Sequence, residues 1–412
     1  MARKVLISFI GTGPLNKNNS AERIYKTAKY KLGENIEETS FLASALGKFL
    51  DVDTYFLFGT MKSMWEAVYE KFAEQKRLEI DEAYWLQLSE QCGENANHNS
   101  KLDVSLFQKI EIILGNDSKI FPIYYGLNEK EIEENFSIFA DAMSYLQDGD
   151  EIFLDITHSF RSLPLFATTA LSFIKDVADK KISFSGIYYG MLEAGREFGG
   201  IVPVVNLSYM SELQNWIKGA YSFNHFGNGY LLAELLREKN KTTSDKLTQF
   251  TNVLSMNFIH EIKSQISLLT SLASNTYPLP EQIILPKAFS AFAKRFSNLK
   301  KQSEYQFELS VWHKENSNYG LSYLCLVEAI VTYVCEQEGS VATDEIARNS
   351  AKDSIYNDSR YSHIKSIHCK ANTYRKNSAH LLENVQVNAQ KAVTELSILL
   401  LEFNKILKSN AY

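Results

Sequence analysis

Short, continuous apolar runs alternate with amphipathic stretches through the first half of the chain, and the alternation stops near residue 207. Runs at residues 4–10, 54–58, 120–125, 151–155, 182–188 and 202–206 have the composition of strands, several of them apolar at successive positions as in strands buried on both faces. Between them, residues 38–50, 128–146 and 164–179 carry apolar side chains at three- and four-residue spacing and read as helices. Strands alternating with helices in this way predict an α/β unit built on an open, mostly parallel sheet. Ligands bind such sheets outside the carboxyl ends of the strands, so the loops that follow the strands are where chemistry is expected.

The second half has few strand signals and long helical periods, at residues 244–274, 319–335 and 385–407, and reads as all-helical. A proline-bearing connector at 275–286 interrupts it. All seven prolines lie at or before Pro286, which leaves 126 residues without that helix breaker. There is no fixed-period repeat and no low-complexity tract. The expected organisation is two domains, 1–207 and 208–412.

With 412 residues and 45% hydrophobic content, the chain can bury two cores. Its net charge of -6 argues against coating nucleic acid by bulk charge. That total conceals an asymmetry, because residues 1–207 carry 21 basic and 30 acidic residues, whereas 208–412 carry 22 and 19. Cys92, Cys325, Cys335 and Cys369 form no C-x-x-C pair, which speaks against a disulfide framework or a zinc ribbon and for a reducing, cytoplasmic setting. The apolar run after Arg3-Lys4 is too short for a signal-peptide core, and no stretch of about 18 apolar residues occurs, so no membrane association is expected.

Three loops of the first half hold candidate chemistry. Gly11-Thr12-Gly13 follows the first strand, where glycines let the backbone approach a phosphate or nucleotide closely. Asn16 stands where a dinucleotide fingerprint has its third glycine, so a plain tight turn is the competing explanation. Gly59-Thr60-Met61-Lys62-Ser63-Met64-Trp65 sits at a second strand-to-helix turn, where the hydroxyls of Thr60 and Ser63 could equally cap a helix. The third loop, Asp155-Ile156-Thr157-His158-Ser159-Phe160-Arg161-Ser162-Leu163-Pro164, is dense in hydrogen-bonding side chains, and Pro164 suits a first helical position. Arg161 can pair with a phosphate or stack on a base, Thr157 and Ser159 can donate to ribose or phosphate, and Asp155 reads as a loop organiser.

In the second half, residues 360–382 contain five cations, three histidines, two tyrosines and no acid. The segment includes Arg375 and, five residues later, His380. On a helix that interval turns about 140° and rises about 7.5 Å, so the two side chains flank one face. Two such helices meeting about a two-fold axis would bring two Arg and two His to one slot able to hold a bent phosphodiester. Histidine exchanges a proton near neutral pH and arginine holds phosphate oxygens, and RNA brings its own 2′-hydroxyl nucleophile, so transesterification needs no metal. A solvated basic helix face is the plain alternative. His363, His368 and Cys369 lack a fourth metal ligand at a convincing spacing. His98, His225, His260 and His313 are isolated, and there is no H-E-x-x-H, P-loop or G-x-S-x-G.

In combination these motifs resemble a known family. GTG, GTMKSMW and DITHSFRSLP are similar to the ligand-binding turns of the CARF sensor domains of type III CRISPR-associated ribonucleases, whose motif is DxTHGxR. The stretch opening with Glu38-Thr39-Ser40-Phe41 is similar to their Glu-Thr-led first helix, and RKNSAH to the R-x4-6-H signature of their HEPN nuclease domain. Ser159 stands where the sensor motif usually has Gly, and Lys376 where the nuclease signature often has a polar residue such as Asn; Asn377 comes one place later.

The resemblance implies a Rossmann-like CARF domain followed by an all-α HEPN domain, joined in a homodimer or an oligomer of dimers. It implies activation by cyclic oligoadenylate, most readily cyclic tetraadenylate, and metal-independent cleavage of single-stranded RNA to a 2′,3′-cyclic phosphate in antiviral defence. Arg375 and His380, with Asn377, are then the catalytic residues. Gly11, Thr12, Gly13, Thr60, Lys62, Ser63, Asp155, Thr157, His158, Ser159 and Arg161 are the activator-site residues. The activator is a polyanion assigned to the acidic half, so Lys62, Arg161 and strand-end amides must make its pocket locally positive. Two alternatives stand beside this: a ligand-responsive nucleic-acid-binding regulator without nuclease activity, using Tyr361 and Tyr374 for stacking, and a sensor that also degrades its own ring.

Overall fold

The computed structural model describes residues 2–13, 27–158, 166, 168–169, 172, 176, 180–379 and 388–409. It divides into two compact units, Met1–Ser211 and Glu212–Tyr412.

The first unit is an eight-stranded sheet in the order β3-β2-β8-β7-β6-β1-β4-β5. Its strands are β1 Lys4–Ile10, β2 Ala28–Leu32, β3 Asn35–Thr39, β4 Thr54–Gly59, β5 Lys119–Pro122, β6 Glu151–Asp155, β7 Ser183–Gly190 and β8 Ile201–Asn206. β7, β6, β1, β4 and β5 run parallel, and β8 pairs antiparallel with β7. Helices α1 Leu42–Leu50, α2 Trp65–Gln75, α3 Glu82–Leu88, α4 Gln108–Leu114 and α5 Glu129–Ser144 surround it.

Both faces are covered, which is why the central strands are apolar at consecutive positions. Val5, Ile7 and Phe9 of β1 point into a core with Phe139 and Met143 of α5. Leu6 points the other way, toward Leu42 and Leu46 of α1. Arg3 binds both oxygens of Asp150, at 3.1 and 2.7 Å, tying the starts of β1 and β6 together.

The sequence expectations differ from this sheet at its edge. Residues 38–39 belong to β3, so the helix expected from residue 38, with its Glu-Thr opening, begins only at Leu42. The hairpin of β2 and β3 was hidden because AKYKL and NIEET are polar edge strands, in which only Tyr30 and Thr39 are fully buried. Of the expected helix 164–179, the described residues Phe166, Thr168, Thr169, Ser172 and Asp176 are helical.

The second unit is helical. Its helices are α6 Tyr209–Phe226, whose first turn begins at the boundary, α7 Tyr230–Leu236, α8 Lys241–Ser255, α9 Ile262–Ala273, α10 Glu281–Lys294, α11 Gln302–Glu315, α12 Tyr319–Gln337, α13 Glu345–Asn357, α14 Ser362–Ala379 and α15 Ala389–Ser409. Two cores organise them, one built mainly by α6–α11 and one mainly by α12–α15. The chain pattern 244–274 is two helices, not one. Asn257 adopts φ 55°, and the amides of Phe258 and Asn257 bond back to Val253 and Leu254 at 2.9 and 3.2 Å, a Schellman stop with Asn in the place of Gly. Pro286 lies inside α10 rather than in a connector. α12 is long and apolar enough by composition to cross a membrane, yet its apolar surface is the centre of the second core.

Candidate functional sites

The three motif loops follow three adjacent strands. In the order β6-β1-β4, β1 is the point from which the chain moves first to one side of the sheet and later to the other, which is where open α/β sheets bind ligands. Registers Ser8↔Asp155 and Ile10↔Gly59 place the three strand ends side by side.

Each loop is fastened by its own polar groups. Ser63 Oγ donates to the Ile10 carbonyl at 2.7 Å, the Met64 amide donates to Gly11 O at 3.1 Å, and Trp65 Nε1 donates to Thr60 O at 2.9 Å. Thr60 and Ser63 are buried, with their oxygens 3.4 Å apart. Gly13 sits at φ +69°, and a Cβ there would lie 2.1 Å from Met64 Sδ. Lys62, Gly11, Thr12 and Gly13 remain half-buried at the rim.

Asp155 is fully buried. It accepts from Ser8 Oγ at 2.7 Å and from the Thr157 amide at 2.9 Å, which is the loop-organising role its position implied. Thr157 Oγ1 accepts the Gly190 amide at 2.9 Å. His158 Nε2 accepts the Leu42 amide at 3.5 Å, at the start of α1, and its ring meets Phe41 edge-on at 6.2 Å. Burial pushes the His158 imidazole below its usual range, so it is present as the neutral acceptor this bond requires. Ser159 and Arg161 lie outside the described residues.

Sequence reasoning missed Tyr30. Its hydroxyl is buried without a hydrogen-bond partner among the described residues, and burial, together with the charge of Asp155, raises its pKa. The only signal was an aromatic residue alone in the polar strand AKYKL.

In the second unit, α14 buries Ile364, Ile367, His368, Ala371 and Tyr374 along one stripe, and Arg375 stands at its edge, half-buried. Arg375 Nε donates to Asn372 Oδ1 at 3.1 Å. Asn377 is turned back on its own helix, donating to Thr373 O at 2.9 Å. His380 lies outside the described residues. His368 is buried, with Nδ1 3.1 Å from the Tyr356 hydroxyl. Burial, then the charges of Lys352, Arg375 and Lys376, lowers its pKa to about 4. Those three cations create a positive field around this part of α14.

The acid-free segment is not acid-free in space. Asp358 binds Arg360 at 2.6 Å, and Glu395 binds Lys370 at 2.9 Å, leaving Lys365, which donates to the Tyr356 carbonyl at 2.8 Å, and Arg375 and Lys376 as the cations without an ion pair among the described residues. Tyr361 is buried and Tyr374 stacks on Tyr323 at 5.1 Å. His363 is exposed and His368 is held by Tyr356, and among the described residues no three His, Cys, Asp or Glu side chains gather as a metal site.

Comparison with known proteins agrees with the geometry of the sheet. A family model described as the CARF domain of the CRISPR system endoribonuclease Csx1 matches residues 5–193. A second, described as the second domain of CRISPR-associated protein MJ1674, matches residues 212–304, beginning where the helical unit begins. CRISPR-associated protein MJ1674 of Methanocaldococcus jannaschii is 35% identical over 354 residues, covering 81% of this chain and 54% of its own length. The chain thus spans about half the length of that curated relative. It belongs to the CARF-containing, Csx1-like family of type III CRISPR-associated proteins.

Proposed function

We propose that this chain is a cytoplasmic, homodimeric, HEPN-type endoribonuclease that cleaves single-stranded RNA when its CARF unit binds cyclic oligoadenylate, with the four-membered ring as the favoured activator. The observation that carries the reading is Arg375, oriented by Asn372 in a positive field five residues before His380, in a chain whose first unit matches the CARF domain of an endoribonuclease family. The adjacent loops at the switch point of the sheet support the ligand assignment.

In this chemistry the 2′-oxygen bonds to phosphorus as the P–O5′ bond breaks; His380 takes the 2′-hydroxyl proton, a proton returns to the leaving 5′-oxygen from the imidazolium, and Arg375 stabilises the charge growing on the phosphorus-bound oxygens. The products are a 2′,3′-cyclic phosphate and a 5′-hydroxyl. Because RNA supplies the nucleophile, the reaction proceeds without a metal ion. The ring shifts the dimer only by binding its active arrangement more tightly than its resting one. The rival reading, a regulator that binds without cutting, is weakened by the burial of both tyrosines it would use for stacking.

End-labelled RNA incubated with the protein, EDTA and a panel of cyclic oligoadenylates tests the proposal. Ring-dependent cleavage that disappears in Arg375→Ala and His380→Ala is expected; equal cleavage by His380→Ala overturns the assignment.

A further inference from the structure

The sequence holds a second basic stretch without acids. From residue 282 to 303 there are five cations, Lys287, Lys294, Arg295, Lys300 and Lys301, and no Asp or Glu. Unlike α14, which packs in the second core, most of this stretch packs in the first. Arg295 is committed, since Glu308 holds it at 2.7 Å and Glu315 at 2.8 Å. The four lysines are exposed and have no ion pair among the described residues.

Lys287 and Lys294 are seven residues apart on α10, two turns along one exposed face. That face borders a groove of about 490 Å³ between α6 and α10. Ala220, Ala288 and Ala291 keep the groove wide, and Phe292 and Trp312 form its apolar base. No carboxylate lines it; the polar lining is Asn224, Lys287 and Arg295. On α6, Tyr221 is 59% exposed and lies one turn before Asn224, on the same side of the helix.

A groove with the unpaired Lys287 on its wall, Lys294 two turns along the same helix face, an apolar base and an exposed aromatic near its edge has the composition of a single-strand nucleic-acid track, in which phosphates follow the charge and bases stack without sequence readout. We infer that the α6–α10 groove is a second binding surface for single-stranded RNA, with Lys287 and Lys294 on phosphates and Tyr221 as a stacking surface. The inference rests on the proposed RNA substrate. It adds a place where the strand is held away from Arg375, so that affinity and cleavage are carried by different residues.

The test is binding of the full-length protein to a fluorescent, unstructured 2′-O-methyl RNA, which lacks the nucleophile and stays intact, followed by anisotropy over a range of KCl concentrations. Lys287→Gln with Lys294→Gln is expected to weaken binding about tenfold and to reduce the log–log salt slope by about 1.4, the value for two lost phosphate contacts on a single strand. Tyr221→Ala is expected to weaken binding about fivefold or more. The same charge removed from α15, as Lys405→Gln with Lys408→Gln, is expected to change affinity less than about twofold.

Unchanged binding by the groove pair, or equal weakening by the α15 pair, overturns the inference. Cleavage of ordinary RNA by the same proteins separates it from the nuclease reading. If nothing cuts and the groove pair still weakens binding selectively, the surface stands and the nuclease reading falls. If Arg375→Ala abolishes cutting while the groove pair binds normally, the surface falls alone.

Discussion

Arg375 donates its Nε proton to Asn372 Oδ1 at 3.1 Å, three residues earlier on α14. Nε is the donor nearest the aliphatic stem, so this bond fixes the plane of the guanidinium and leaves the two terminal nitrogens to face a phosphate as a fork. Arg375→Lys keeps the charge and loses the fork, and single-turnover cleavage is expected to fall about 100-fold. Asn372→Ala leaves Arg375 in place but unoriented, and is expected to lower kcat about tenfold with little change in KM. Wild-type cleavage by Asn372→Ala, with helical circular dichroism intact, would remove the orienting role.

His313 and His368 give the helical unit a dependence on acid. Both are buried, and burial lowers each to about 4, against about 6.5 for a free histidine. The unfolded chain therefore binds more protons than the folded one between those values. The stability this confers is fully present above pH 6.5 and is lost as pH falls toward 4. Each ring contributes about 3 kcal/mol over that window. His313 has no partner for either ring nitrogen among the described residues, so His313→Leu removes the titration without removing a hydrogen bond. Urea midpoints of the full chain, read from pH 7.5 to 4.5, should fall less steeply for His313→Leu; an unchanged slope would show that the ring is not held neutral.

The parallel half of the sheet was legible because each of its strands is covered on both faces and writes itself as a continuous apolar run, as KVLISFI of β1 does. The β2–β3 hairpin was not, because an edge strand needs few apolar residues. The helix stop at Asn257 was missed because Gly is the expected residue there. At the candidate site, residue types picked out three loops that the fold sets side by side, but not which of their groups were already engaged. Ser63, Asp155 and Thr157 read as ligand contacts, yet each has a hydrogen bond to a distant part of the chain, a long-range pairing that no local spacing records, and Thr60 meets Ser63 three residues on. The basic segment likewise looked free of acids until Asp358 and Glu395 were brought against it from flanking elements.

Gly13 is required on two separate grounds. Its φ of +69° disfavours any residue with a Cβ, and that Cβ would meet Met64 Sδ at 2.1 Å. Gly13→Ala should cost about 1–2 kcal/mol from the backbone alone, and more from displacing Met64. Met64→Ala carries its own cost as a buried side chain but removes the contact, so the double variant should be less destabilised than the sum of the two single variants. A double variant destabilised by the full sum would mean that the thioether moves aside at no cost.

Thr157 ties the loop after β6 to the sheet. Its Oγ1 accepts the amide of Gly190 at the end of β7, and Gly190 is itself packed closely, with Tyr30 and Leu42 at 2.9 and 3.2 Å from where a Cβ would stand. Thr157→Val has nearly the same shape but cannot accept, so the buried Gly190 amide loses this partner at about 1–3 kcal/mol. Thr157→Ser keeps the acceptor. A ring that binds the loop after β6 needs that loop held in register, so calorimetry should find cyclic tetraadenylate bound several-fold more weakly by Thr157→Val and nearly normally by Thr157→Ser, with melting temperatures in the same order. If Thr157→Ser loses ring binding while Thr157→Val keeps it and loses only stability, Thr157 contacts the ring through its methyl group, and the bond to Gly190 serves the fold alone.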